Sequence, residues 1–414
     1  MLGLTLAGLG MLSAATWALA SGRPGGLLDG TVVAGEAHGA DPATPVLTAP
    51  STFVFPGGSP KLYWPSSGTA AVEVEGMGLL GHDGSMTSRS AIASITKTMT
   101  AYVVLKDHPL GAQEAGPTIT VDASMAALYG RALDKDESAV PLKTGEQLTE
   151  RQALEAMLLA SAGDMADLLA QWDRGSIPLF TAAMNAQARA LGMTGTDYTD
   201  PTGLAASTVS TMADQLKLAE AVQPVPALTS IVDESSAQIP VAGRIQNVDR
   251  DLGYLGIDGI KTGTTAAAGS CLLFSAHVTV GGRRLTLLGI VLGMPGSSGT
   301  PWSALKAALL LVGSAEAALG TATVAAPGRA VAAIEQNGAA LVRLGVRAPL
   351  TVVGWPGLGY RVRVTGGDAS ARLVVTQTGA SSAPFDAALT ELPDRLAASA
   401  MPSTPGKPAT PASP

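Results

Sequence analysis

The chain has 414 residues, 46% of them apolar, with 49 Gly, 27 Pro and one Cys, which is enough for one or two domains with real cores. Its 26 Lys and Arg against 33 Asp and Glu leave a net charge of −7 without any basic run, which excludes a nucleic-acid binder. Cys271 alone cannot form an intramolecular disulfide or a Cys-ligated zinc or Fe–S site, and His38, His82, His108 and His277 show no ligand spacing, so the sequence calls for no metal or cofactor.

Residues 2–20 carry no charge and end in Ala18-Leu19-Ala20, a small-x-small cleavage signal, so residues 1–20 read as a signal peptide or an N-terminal membrane anchor. No Lys or Arg precedes Arg23. Either the start is internal to a longer product or the segment is an uncleaved anchor, and both place the rest of the chain outside the cytoplasm, the anchor with a membrane contact through this segment. Residues 21–60, rich in Gly, Ala, Pro and Asp, read as a flexible linker.

Ala71–Glu75 alternates apolar and acidic residues as a half-buried strand does. A helix is expected from Ser94 to Lys106, and Thr149 with Gln152 fits a capping box opening a helix over Arg151–Ala160. Helical patterns come next over Asp164–Trp172, Leu179–Leu191 and Met212–Val222. The period then switches to two in Gly269–Val280 and Arg283–Leu292, joined by Gly281-Gly282 as a primed hairpin turn. A last helix, Ser303–Leu319, with Ser303 as its N-cap, completes an α+β domain over residues 61–320. Short β-branched runs at Leu350–Val353, Tyr360–Val364 and Arg372–Gln377 make residues 321–395 a small β-rich domain, and the Pro-rich residues 396–414 read as a disordered tail.

Three short segments carry chemistry. Ser94-Ile95-Thr96-Lys97 sets a hydroxyl and an amine at i and i+3 on one helix face, with Cβ atoms roughly 5–6 Å apart. A serine hydroxyl must lose its proton as it attacks, and a buried amine of lowered pKa can accept it. Ser303-Ala304-Leu305-Lys306 has the same form, but Ser303 reads better as a cap. Lys261-Thr262-Gly263 and Thr264 enter a strand with a cation, hydroxyls and a Gly that permits close approach, which suits a carboxylate in extended geometry. A solvated strand end is the plainer reading of Lys261, and the matching Lys143-Thr144-Gly145 reads as a loop. Ser161-Ala162-Gly163 falls between two helices, either turning Ser161 inward or using it as a cap. Cys271 and the scattered Trp64, Trp172, Trp302 and Trp355 read as core.

The order of the three segments, with Ser161 lying 67 residues after Ser94 and Lys261 a further 100 on, is that of the serine-based penicillin-recognising enzymes. The segments Ser90–Leu105, Leu191–Leu204, Ser210–Ala219 and Gly259–Ala276 resemble the D-alanyl-D-alanine carboxypeptidases of peptidase family S11, the low-molecular-mass penicillin-binding proteins. That resemblance covers roughly residues 60–320. It implies a β-lactamase/penicillin-binding-protein-like transpeptidase fold, an antiparallel sheet with a helical domain, plus a small C-terminal β domain. It also implies Ser94 as acylated nucleophile, Lys97 as its base and Ser161 as proton relay. Lys261, Thr262, Gly263 and Thr264 would bind the substrate carboxylate, and the N–H groups of Ser94 and Thr264 would form the oxyanion hole. The implied partners are a peptidoglycan stem peptide and β-lactams.

One position departs from the family, whose second motif is Ser-x-Asn: Gly163 stands at the Asn, whose carboxamide the resemblance implies should bond the substrate backbone and the catalytic Lys, and Asp164 is next to it. Three readings are open. Asp164 takes over the role; the chain is a weakly active or inactive penicillin-binding scaffold; or it is a D,D-endopeptidase or β-lactamase-like hydrolase, although the stretch from Trp172 to Pro178 offers Asp173 and no Glu.

Overall fold

The computed structural model describes residues 43–296, 301–336, 338–367, 370–379 and 382–393. The proposed signal segment and the Pro-rich tail lie outside these residues, as does the linker before residue 43. Among the described residues no helix is long and apolar enough to cross a membrane.

The chain enters through β1 (Thr44–Leu47) and β2 (Thr52–Val54), then forms the hairpin β3 (Thr69–Val74) and β4 (Gly78–Asp83). The short β5 (Ser90–Ala91) and a 3-10 turn at Ala93–Ile95 lead into α1 (Thr96–Asp107). A helical region comes next: β6 (Thr118–Thr120), α2 (Ala123–Asp134), β7 (Gln147–Thr149), α3 (Glu150–Leu159), α4 (Gly163–Arg174) and α5 (Ile177–Ala190). It closes with β8 (Val209–Ser210), α6 (Met212–Val222), α7 (Pro226–Val232) and the pair β9 (Ser236–Ile239) and β10 (Gly243–Gln246). Next come β11 (Ile257–Thr265), β12 (Gly269–Val280), β13 (Arg283–Met294) and α8 (Trp302–Ala318). Seven strands end the described chain: β14 (Gly320–Ala325), β15 (Ala332–Gln336), β16 (Ala339–Val346), β17 (Leu350–Gly354), β18 (Gly359–Thr365), β19 (Arg372–Gln377) and β20 (Phe385–Glu391).

Local chemistry accounts for the starts and turns. Thr149 accepts from the Gln152 N–H while the Gln152 side chain accepts from the Thr149 N–H, the reciprocal box read in the sequence. Gly281 and Gly282 both adopt positive φ, 57° and 78°, as a primed two-residue hairpin requires. α8 starts differently from the expectation: its N-cap is Pro301, and the Ser303 hydroxyl donates to the Pro295 carbonyl instead of capping. Trp302 likewise is exposed at this helix start, not core.

β11-β12-β13-β3-β4 form a five-stranded antiparallel sheet covered on both faces. Along β12, Cys271 and Leu273 pack on the helical region while Leu272, Phe274 and Ala276 pack with α8 on the opposite face. Such double burial turns a half-polar strand into a continuous apolar run. Glu73 shows the cost: expected on a solvated face, it is buried on β3 and pushed up to about 8 by desolvation and by Glu220.

The segment expected as linker up to residue 60 contains β1 and β2. These pair with β15 and β18 and so form the two edges of the seven-stranded sheet β1-β15-β16-β20-β19-β18-β2 of the C-terminal module. Val46 and Leu47 oppose Ala333 and Ala332, so an apolar strand was hidden in Pro- and Ala-rich sequence.

Candidate active site

The site lies where the N-terminus of α1 meets the edge strand β11. α1 is buried on nearly all sides, so Lys97 is wholly excluded from solvent. Its Nζ donates to Ser94 Oγ at 2.9 Å and to the Thr202 carbonyl at 2.9 Å. Burial drives the Lys97 pKa down, with Glu137, Asp200, Asp167 and Asp164 acting in the other direction. An amine so placed can accept the proton of the hydroxyl it touches.

The carbonyl that holds Lys97 is itself fixed by its loop. Asp200 Oδ2 accepts from Thr202 Oγ1 at 2.7 Å and from the Leu204 N–H at 3.0 Å, and Asp200 Oδ1 accepts from Thr208 Oγ1 at 2.5 Å. Gly203 sits beside it at φ 80°, and a Cβ there would lie 1.9 Å from the Ala93 carbonyl oxygen. The Asp-Pro-Thr-Gly segment is therefore a backbone clamp behind the nucleophile, a role its composition alone does not reveal.

Lys261, Thr262, Gly263 and Thr264 run along β11 opposite Leu273, Leu272, Cys271 and Ser270. A Cβ on Gly263 would lie 2.8 Å from the Ser94 nitrogen, so this glycine lets the strand close on the helix turn. Thr262, Gly263 and Thr264 share a small cleft with Ser94, Ser138 and Ser161. Thr264 Oγ1 is buried without a hydrogen-bond partner, a polar atom left free at the cleft. Lys261 is buried rather than a solvated strand end; its Nζ donates to the Thr262 carbonyl at 3.0 Å. Desolvation, then Lys97, bring it to about 7 against the pull of Asp249. Lys143 instead sits in the turn before β7, where its N–H donates to Glu146.

Ser161 adopts a left-handed φ of 60° between α3 and α4, and Ala93 beside Ser94 has φ 49°. Non-glycine residues held there cost on the order of 1–3 kcal/mol each. Ser161 lines the cleft, and Ala93 precedes Ser94, which does too. The N-cap of α4 is Ala162, so the turn aims Ser161 into the cleft instead of spending it as a cap.

Asp164 does not replace the missing Asn. Both its oxygens accept from the Val140 N–H at 3.2 Å and Oδ1 accepts from Met165 N–H, while burial raises its pKa to about 7. A residue missed in the sequence stands near Lys97 instead: Glu137 Oε1 lies 3.7 Å from Lys97 Nζ, with 8% of its side chain exposed. Within Asp-Lys-Asp-Glu-Ser it looks like one more solvated charge. Asp173, the alternative carboxylate, is engaged with His108 and Arg174 at the far end of α4. Cys271 is buried, its thiol donating to the Ala268 carbonyl, as a core residue does.

The fold around this cleft is that of the penicillin-binding enzymes. The structure is similar to PBP3, a peptidoglycan synthesis regulatory factor from Streptococcus pneumoniae, with a TM-score of 0.61 and 18% identity over 80% of this chain and 99% of that one. The model of the peptidase S11 family, D-alanyl-D-alanine carboxypeptidase, matches residues 79–295, and the chain belongs to that family. It is 33% identical over 223 residues to a D-alanyl-D-alanine endopeptidase of Pseudomonas aeruginosa, spanning 51% of this chain and 68% of that relative. With the D-alanyl-D-alanine carboxypeptidase DacF of Bacillus subtilis the figures are 27% over 235 residues, 55% and 59%.

Proposed function

We propose that this chain is an exported serine-type D-Ala-D-Ala carboxypeptidase that trims peptidoglycan stem peptides and is acylated by penicillin. The observation that carries the proposal is the 2.9 Å contact from the solvent-excluded Lys97 Nζ to Ser94 Oγ, which faces a cleft shared with Ser161, Thr262 and Thr264.

In this reading Ser94 Oγ attacks the carbonyl carbon of the penultimate D-Ala while Lys97 takes its proton. The N–H groups of Ser94 and Thr264 stabilise the oxyanion, and Lys261, Thr262 and Thr264 hold the terminal carboxylate. The proton passes through Ser161 to the nitrogen of the departing D-Ala, leaving an ester on Ser94. Water then adds to the acyl carbon, its proton returns to Ser94 Oγ as the ester breaks, and the shortened peptide leaves. A β-lactam undergoes the first half and stops at the ester. Export rests on the uncharged residues 2–20.

A D,D-endopeptidase is the second reading, favoured by the name of the Pseudomonas relative. Both use the same residues. D-Ala release from a pentapeptide, measured beside cleavage of a cross-linked dimer, separates them, and labelling with a fluorescent penicillin tests the site. Labelling and D-Ala release are expected; the absence of both leaves a non-catalytic scaffold.

A further inference from the structure

Gly163 opens α4 in ordinary helical backbone, so its φ does not demand glycine. What it leaves is space. A Cβ at this position would lie 2.0 Å from both Cδ and Oε1 of Glu137, so any side chain here would have to push that carboxylate aside. The carboxylate thus fills the volume that a side chain at the second motif's third position would need.

The segment carrying Glu137 is held to that place. Its N–H donates to the Ala132 carbonyl at the end of α2, after a left-handed turn at Asp136 with φ 55°. The Ser138 carbonyl accepts from the Gly163 N–H at 2.7 Å, and Asp164 fixes Val140 two residues on. Around Lys97 the charged groups are Glu137 from this segment, Asp164 and Asp167 from α4, Asp200 from the clamp and Lys261 from β11. Glu137 is the carboxylate within ion-pair distance of the amine, at 3.7 Å.

We propose that Glu137 is a positioning residue for Lys97: its carboxylate, admitted by Gly163, takes the place on the amine that the family's Asn holds from α4, and sets the pH at which Lys97 becomes a free base. The inference rests on the reading of Lys97 as the base. An ionised carboxylate stabilises the ammonium where a carboxamide does not, so its removal favours the neutral amine. It also offers no hydrogen to a substrate carbonyl, so this wall orients the enzyme's own base and leaves substrate binding to β11.

Two measurements test it together: the rate of Ser94 acylation by fluorescent penicillin against pH, and the titration of Lys97 followed by NMR of lysine-labelled protein, assigned with Lys97→Arg. In Glu137→Gln both midpoints are expected to move down by about 1–3 units, as for loss of an opposite charge within about 4–6 Å, and to stay near wild type in Glu137→Asp. Gly163→Asn, by pushing the Glu137 carboxylate off the amine, should move both midpoints down as Glu137→Gln does, and Glu137→Ser added to it should leave them there. An unmoved Lys97 titration in folded Glu137→Gln, or in folded Gly163→Asn, overturns the proposal. Wild type that is never acylated, yet shows the NMR shift, refutes the catalytic reading and keeps the pairing.

Discussion

The two walls of the cleft are built in opposite ways. On the wall of Ser94, Lys97 and β11, each functional group belongs to a run of four residues whose own backbone presents it: the 3-10 turn that runs into α1, and one extended strand. The opposite wall is composite. There Ser161 comes from the turn before α4, while the group beside Lys97 is delivered by Glu137 from a segment that α4 merely accommodates by lacking a side chain at Gly163. A function carried by a contiguous run survives only with that run, whereas one carried by a volume can be filled from any direction.

Changes on the contiguous wall should be the most damaging. Ser94→Ala is expected to abolish penicillin labelling while leaving the melting transition near wild type; retained labelling would move the nucleophile elsewhere. Next in size is Lys261→Ala, which should raise KM for a peptide ending in a free carboxylate by roughly 10–100-fold, the worth of one charge-assisted hydrogen bond, and leave an amidated peptide little changed.

Lys261 also gives a pH signature. With a pKa near 7 in the free enzyme it carries charge below that value and loses it as pH rises. KM for the free-carboxylate peptide should therefore climb above about pH 7, and the climb should vanish in Lys261→Ala. A flat profile in wild type would show that bound substrate alone sets its charge.

On the composite wall, Asp164→Ala strips the Val140 N–H of its acceptor, and unfolding by denaturant should show a loss of about 1–3 kcal/mol. The pH midpoint of acylation should move down with it, because the same segment carries Glu137. Smallest is Ser303→Ala on the decoy Ser-x-x-Lys, which loses a surface hydrogen bond to Pro295 and should cost no more than about 1 kcal/mol with unchanged acylation.

Legibility split along the same division. The helices after Ser94, Thr149 and Thr211 and the Gly281-Gly282 hairpin were readable because period and caps are local properties of the chain. α2 and α7 escaped, and of β11 only the edge at Lys261–Thr264 was read. α7 is one short run opened by Pro226, and β11 carries Gly259 and Gly263 in a stretch that scores poorly as strand until β12 pairs with it. At the site, the Ser94, Ser161 and Lys261 segments could be found by order and spacing. Glu137 could not, since nothing in its neighbours says that a gap 26 residues later is shaped for it. The one available signal was the gap itself: a glycine where the backbone needs none.

The pairing of β1 with β15 and of β2 with β18 means that the catalytic region is threaded into the C-terminal module as an insertion between β2 and β14. Thr44 meets Glu335 across almost the whole described chain, so the two edge strands stay partnerless until nearly everything has been synthesised. The catalytic region has its own long-range closure, β3 pairing with β13, and the module can only be completed around the two ends that region leaves behind. A chain cut after α8 would retain every residue of the cleft and expose β1 and β2 as orphaned, sticky edges, so for this protein losing the last domain is a problem of solubility before it is one of chemistry.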